Sequence, residues 1–481
     1  MSSTLIVNAN IVNEGKAFTG DVLIRSGRIE RIGTGFQVQG KFQVIDAKGK
    51  LLLPGVIDDQ VHFREPGLTH KGDIGTESRA AVAGGVTSFM EMPNTVPPVF
   101  THALLEEKFQ RAAVTSAANY SFFMGTSNDN YEEVMRTNLN QVCGLKIFMG
   151  SSTGNLLVDD PDTLGKIFGS FEGLIAVHCE HEPTVRQNNL QFKETYGDRA
   201  TAALHPVIRN VDACYLSSSF AVGLAEKHGT RLHILHISTG KETNLFRNDI
   251  PLREKKITAE ACIHHLWFCD EDYSRLGNLI KWNPAIKSAS DRKQIWDALL
   301  DDRIDVIATD HAPHTLEEKS KPYFEAPSGG PLIQHSLPAM LEFWKDGKIS
   351  LERIVQKMSH NPAILFGIEM DDQGQTGCEF SERSQSAGVQ AADVVEIAST
   401  IRHTRHHTVI GEGVDSEPMR LIERYHPVEH DVEQPAVESG CAGLPQDELI
   451  EHAGEATPVG QQSQRLVTLI TFSKLPHQHR T

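Results

Sequence analysis

The sequence predicts a (β/α)8 barrel carrying a small β-sandwich domain built mainly from the N-terminus. Three observations lead there. Near-continuous apolar, β-branched runs recur between residues 85 and 311, separated by amphipathic stretches. This is the texture of parallel strands buried on both faces. About eight such units fit into the roughly 300 residues available, which suits a closed barrel better than an open sheet. Finally, polar residues gather at the C-terminal ends of the runs, where a barrel builds its active site.

The elements follow in order. Residues 1–56 hold TLIVNANIV, GDVLIRSGRIERIG and FQVIDAKGKLLLPG, apolar runs cut by Gly- and Asn-containing turns, which read as a meander. The barrel is expected over 57–366. Its strands are read in GVTSFMEM (85–92), SFFMG (121–125), GLKIFM (144–149), LIAVHCE (174–180), RLHILHIS (231–238), ITAEAC (257–262) and DVIATDH (305–311). HALLEEKFQRAAVTSA and SDRKQIWDALLDD are among the helices between them. Residues 367–481 form an atypical C-terminal segment rich in His, Gln, Ser and Glu. It is expected to return in part to the β-domain through AADVVEIA (391–398) and QRLVTLITF (464–472), and otherwise to be disordered. On that reading the tail adds little to the core, and the N-terminal meander is left short of partners.

Composition narrows the function. The 481 residues carry 46 basic and 63 acidic side chains, a net charge of −17, which disfavours a nucleic-acid partner because phosphate binding needs a positive surface. No apolar run approaches the ~18 residues of a membrane helix. The N-terminus lacks a signal-peptide pattern, and seven cysteines with no CxxC pair point to reduced thiols, so a cytoplasmic location is expected.

Five residues on five strand ends carry the chemical signal: His62 in DDQVHFREPG, Lys146 in GLKIFMG, His178 in AVHCE, His236 in ILHIS and Asp310 in IATDHAPH. Any one alone reads equally well as a satisfied core or strand-end polar group. Lys146 is costly to bury as a cation, and burial lowers its pKa. Such an amine can take up carbon dioxide as a carbamate, whose two oxygens can bridge two metals. Asp310 can serve as ligand and proton shuttle. Arg64 lies two residues beyond His62 and its planar fork suits a carboxylate. The conjunction favours a site for two nearby metals.

HFREPG, EMPNT, GLKIF, VHCE, LHIS and IATDHAPH, in this order and spacing over about residues 1–370, resemble the dihydroorotases of the cyclic amidohydrolase superfamily. In that family a metal-bridging hydroxide attacks a ring amide held in the barrel mouth. The resemblance implies that His62, carboxylated Lys146 and Asp310 hold one zinc, and Lys146, His178 and His236 the other. Arg64, Asn94 and His314 would grip a substrate carboxylate, and Asn283 falls where the family places a substrate contact. The reaction implied is the reversible interconversion of dihydroorotate and carbamoyl-aspartate in pyrimidine synthesis. A homodimer is implied as well, with aspartate carbamoyltransferase as a candidate protein partner.

Arg64 favours a carboxylated ring over the uncharged rings of dihydropyrimidinase-like relatives; allantoinase-like relatives usually carry another residue there. Gln60 departs from the family's His-x-His pair, and an amide oxygen binds zinc more weakly than imidazole. Gln60 is therefore a weak ligand candidate, with the first metal expected on three protein groups plus water or at partial occupancy. Strand alternation turns Asp59 away. Gln60 and the tail are also the support for a competing reading, an inactive scaffold. Several neighbours are read as structural: His264 and His265 shaping a loop, His311 facing away, Asp73 and Thr76 capping a helix, and Gly329–Gly330–Pro331 as a pocket loop. The SSTGN segment (151–155) is read as a lid.

Overall fold

The strands after residue 55 close on themselves. In the computed structural model, which describes residues 3–36, 40–151 and 154–368, eight of them run in chain order around one sheet. A first sheet precedes them, with β1 (Ser3–Asn13), β2 (Lys16–Arg25), β3 (Arg28–Gly33), β4 (Gln43–Asp46) and β5 (Leu51–Leu52). The barrel strands are β6 (Val56–Val61), β7 (Val86–Glu91), β8 (Asn119–Gly125) and β9 (Gly144–Phe148), followed by β10 (Leu174–His178), β11 (Arg231–Ile234), β12 (Ile257–Cys262) and β13 (Val306–Ala308). Every neighbouring barrel pair is parallel. The seam is closed by a bridge between Val61 and His311 and by His62 N–H donating to His311 O at 2.7 Å.

Side-chain chemistry explains these elements. β6 through β10 are buried at every position, so their apolar runs need no alternation. The helices between them start on side-chain caps. Asp73 and Thr76 form a capping box on Ile74–Ala83, Thr101 caps His102–Thr115 and Asn210 caps Val211–His228. The two amphipathic runs read from the sequence are the helices His102–Thr115 and Ala289–Leu300. One end of the barrel is filled by Ile57, Met90, Phe123, Leu174 and Val306 against Ala363 and Leu365 of the helix Asn361–Leu365. The N-terminal sheet has its own core of Ile6, Ile11, Val22, Ile24 and Leu52.

Two details depart from the reading above. The N-terminal segment is a meander only through β1, β2 and β3; β4 and β5 then run parallel to β1 on its other side. The run RLHILHIS is strand only to Ile234, and DVIATDH only to Ala308, so His236 and Asp310 stand beyond their strands. The segment from 369 onward, with both of its strand-like runs, lies outside the described residues, as do residues 152 and 153 of SSTGN.

Candidate active site in the barrel mouth

Gln60, His62, Arg64, Asn94, Lys146, His178, His236, Asn283 and Asp310 line a single cavity at the C-terminal ends of the strands. His314 flanks it, with Nε2 3.0 Å from Arg64 Nη2 and 3.0 Å from Ser328 O. Three of these residues hold left-handed backbone: Arg64 (φ 69°), His236 (φ 39°) and Asp310 (φ 47°). Non-glycine residues in that region cost ~1–3 kcal/mol each and persist where surrounding structure imposes them. Here the turn just past each strand end aims the side chain into the mouth.

The donors converge in two groups. His62 Nδ1 lies 2.6 Å from Asn94 Oδ1 and donates to it, which leaves the lone pair on Nε2. That Nε2 faces Asp310 Oδ1 at 3.1 Å. In the second group His178 Nε2 donates to Glu180 Oε2 at 3.0 Å, and Nδ1 lies 2.9 Å from His236 Nε2. Nδ1 of His236 is buried with no hydrogen-bond partner. Burial holds all three histidines below the usual imidazole pKa, His236 far below it. A neutral His62 with its lone pair turned towards a carboxylate, and a neutral His236 with a buried, unpartnered ring nitrogen beside His178, form a donor set that a cation relieves. The residues present therefore fit a metal centre.

Lys146 stands between the two groups on β9, fully buried, its ammonium 4.6 Å from the centre of the Phe148 ring. No carboxylate among the described residues lies within ion-pair distance of it. Burial lowers its pKa to about 8, against the opposing pull of Asp310 and Glu260. Gln60 presents its amide NH2 to Asp310 Oδ1 at 3.1 Å, while its carbonyl oxygen lies 3.6 Å from Cys262 Sγ. As placed, Gln60 orients the aspartate rather than offering it a second ligand.

Carboxylate and amide neighbours steady these groups. Glu180 bonds both His178 and Arg209 (Nη1 at 2.5 Å), and Ser151 joins the same cluster. Arg64 also donates through Nε to Pro313 O at 3.1 Å. The Asn283 Oδ1 and Trp282 Nε1 atoms are shielded and unpartnered at the cavity. Gly329 (φ 130°) lines it where a Cβ would meet Ala312 O at 2.5 Å, so only glycine fits. His264 stacks on Trp282 at 4.5 Å and His265 donates to Pro284 O at 3.2 Å. His311 is outside the cavity, bonded to Glu77 at 2.7 Å. Trp282, Ser151, Ser328, Glu180 and Arg209 were not singled out from the sequence, since none sits in a strand-end pattern of its own.

One further cluster lies deeper in the barrel. Asp59, His233 and Glu260, all fully buried, bring one ligand atom each within 4.8 Å of one another. Strict alternation would turn Asp59 to the face opposite Gln60; the irregularity between Asp58 and Val61 breaks it, and Asp59 points into the barrel at this interior group.

Comparison with known proteins agrees with the geometry. Residues 51–371 match the family model described as the amidohydrolase family. The chain belongs to the amidohydrolase family. This is a family of metal-dependent hydrolases, consistent with the donor sets above. The amidohydrolase is 30% identical over 422 residues to a dihydroorotase of Methanosarcina mazei, covering 85% of this chain and 90% of the relative. It is 34% identical over 379 residues to a dihydroorotase of Ligilactobacillus salivarius, covering 76% and 85%. Among solved structures it resembles an L-hydantoinase (dihydropyrimidinase) from Arthrobacter aurescens, at TM-score 0.73 and 27% identity, covering 78% and 84%. No helix among the described residues is long and apolar enough to cross a membrane.

Proposed function

We propose that this amidohydrolase is a zinc-dependent dihydroorotase, interconverting dihydroorotate and N-carbamoyl-aspartate. The observation that carries the reading is Arg64. Its guanidinium is buried in the wall of the same cavity as the neutral histidines, which Asn94 also lines, with His314 at its Nη2. A ring carboxylate offers this fork a bidentate partner, whereas an uncharged ring leaves a buried cation without one. The dihydroorotase relatives support the same substrate.

On this reading His62, Asp310 and a carbamate on Lys146 would hold one zinc, and that carbamate with His178 and His236 the other. When bound, the metals lower the pKa of a water and polarise the ring carbonyl. Arg64, Asn94 and His314 bind the carboxylate and fix the ring. Asn283 offers its unpartnered Oδ1 to a ring N–H. Asp310 takes the proton of the water and delivers it to the ring nitrogen as the C–N bond breaks. In the reverse direction it returns that proton as the ring closes. Gln60 keeps the Asp310 carboxylate aimed. The homodimer, the aspartate carbamoyltransferase partner and the cytoplasmic location belong to the same reading.

The test is an absorbance assay of purified protein on dihydroorotate, with and without added zinc and bicarbonate. Turnover that depends on both additions is expected. Turnover of hydantoin or dihydrouracil with dihydroorotate inert would replace this reading by the hydantoinase one. Metal bound with every ring inert would favour an inactive scaffold.

A further inference from the structure

The interior cluster below the mouth is built from three strands. Asp59 comes from β6, His233 from β11 and Glu260 from β12, and each is inaccessible to solvent. His233 Nε2 lies 3.3 Å from Asp59 Oδ2 and 3.6 Å from Glu260 Oε2, without hydrogen-bond geometry to either. Both Asp59 oxygens, Glu260 Oε2 and His233 Nε2 lack any hydrogen-bond partner. Three of these orphaned atoms, one from each residue, converge within 4.8 Å of one another, and such unsatisfied groups are costly, at ~1–3 kcal/mol each and more when charged.

The remaining polar atoms of His233 and Glu260 are already used, which fixes the orientation of these two side chains. His233 Nδ1 is 2.9 Å from Thr258 Oγ1. Glu260 Oε1 accepts from His236 N at 2.9 Å and from Cys262 Sγ at 3.1 Å. His233 and Glu260 thus each have one face spent on the scaffold and one turned inward, while both Asp59 oxygens are uncommitted.

We infer that Asp59, His233 and Glu260 form a further binding site for a divalent transition-metal ion, separate from the site in the mouth. Two carboxylates balance a 2+ charge; they also raise the pKa of His233, against the effect of burial, to about 9, so binding of the ion would displace its proton. The 3.3 and 3.6 Å separations match the edges of a tetrahedron around zinc, which are about 3.3–3.6 Å for bonds of ~2.0–2.2 Å. The ion is structural: all three ligands are buried, and it ties the first strand of the barrel to the sixth and seventh. Through Glu260 Oε1 it also steadies the backbone of His236, whose φ of 39° has to be held. The inference does not depend on which ring the enzyme opens.

Anomalous diffraction at the zinc edge, on crystals of the full chain grown with zinc, tests it directly. A peak between Asp59 Oδ2, His233 Nε2 and Glu260 Oε2 is expected. In parallel, zinc bound per chain after exhaustive dialysis is compared between the protein and its Asp59→Asn and His233→Gln variants, with circular dichroism confirming the fold. Each variant should lose about one equivalent. A His62→Ala/Asp310→Ala/His178→Ala/His236→Ala variant, stripped of both mouth positions, should retain that equivalent. An empty cluster in a crystal with zinc at the mouth would overturn the inference and leave a protonated His233 between two carboxylates. Equal zinc in the parent and in whichever interior variant folds would overturn it too.

Discussion

His62 Nε2 and Asp310 Oδ1 lie 3.1 Å apart although 248 residues separate them. The contact joins the end of β6 to the turn after β13, across the seam where the barrel closes. Closure of the sheet is thus what brings together the residues proposed for the first metal. Gln60 occupies the same corner and donates to the same oxygen at 3.1 Å. An imidazole at position 60 would add a neutral nitrogen ligand where an amide now stands. Gln60→His is therefore expected to tighten zinc at this position by tenfold or more, on the order of 1.4 kcal/mol. Competition against a chromophoric chelator measures it. Equal affinity in the two proteins would mean that the amide already serves as well as imidazole.

If the proposed carbamate forms on Lys146, that residue sets the pH dependence of assembly. Carbamate formation consumes a neutral amine and carbon dioxide and releases one proton. With its pKa lowered to about 8 by burial, the amine is neutral far more often near neutrality than an exposed lysine, on the order of a hundredfold. The sign follows: below about pH 8 the protonated form dominates and activation is slow. Above it the neutral form dominates and the pH effect levels off. The initial rate of activation of metal-stripped protein by bicarbonate and zinc, scaled to dissolved carbon dioxide, should rise tenfold per unit below pH 8 and flatten above it. A rate still climbing at pH 10 would place the amine at an ordinary lysine pKa.

Arg64 separates the substrates. Arg64→Met removes charge-assisted hydrogen bonds worth ~1.5–3 kcal/mol each. For dihydroorotate, kcat/KM should fall about 10²- to 10³-fold, while any slow turnover of an uncharged dihydropyrimidine should change much less. Comparable losses on both rings would show that Arg64 supports the loop at Pro313 and not the carboxylate.

The barrel was legible because its strands are buried on both faces and so read as unbroken apolar runs. The five strand-end residues were legible because each interrupts such a run with a charge or an imidazole. What escaped reading has a common cause. His236 and Asp310 were assigned to strands, but left-handed turns follow Ile234 and Ala308, and nothing local in ILHIS or IATDH announces a positive φ. The convergence of Asp59 with His233 and Glu260 depends on closing the barrel, which brings β6 round to the strands on its far side. The parallel pairing of β4 with β1 is likewise non-local.

Stability rests partly on Lys108 and Glu91, an ion pair at 2.7 Å with both partners buried. Burial pushes the lysine pKa down and the carboxyl pKa up, so each ion persists through the other. Glu91 also accepts from Phe63 N at 3.0 Å, next to His62. Lys108→Met strands the carboxylate and should cost ~3–5 kcal/mol in urea denaturation. Adding Glu91→Gln should restore part of that loss. A single-variant cost below ~1 kcal/mol would show that water or a neighbouring group reaches Glu91.

Glu180 tests whether the histidines are held by their outer partners. Its Oε2 receives His178 Nε2 at 3.0 Å and Arg209 Nη1 at 2.5 Å, and its pKa is held far below the usual carboxylate range. Burial alone would raise that pKa; Arg209 and His178 more than reverse it. The carboxylate therefore stays ionised at any working pH, fixing the His178 tautomer that leaves Nδ1 free beside His236. Glu180→Gln keeps the shape but removes the charge, and can present an NH2 to the imidazole in place of an acceptor. Loss of such an outer carboxylate typically costs 10- to 100-fold in metal affinity. Zinc held by His178 and His236 should weaken by that factor, with the melting temperature of the metal-free protein changing little. If metal-free stability collapsed while zinc affinity survived, Glu180 would be a structural partner of Arg209 and Ser151, and another group would orient His178.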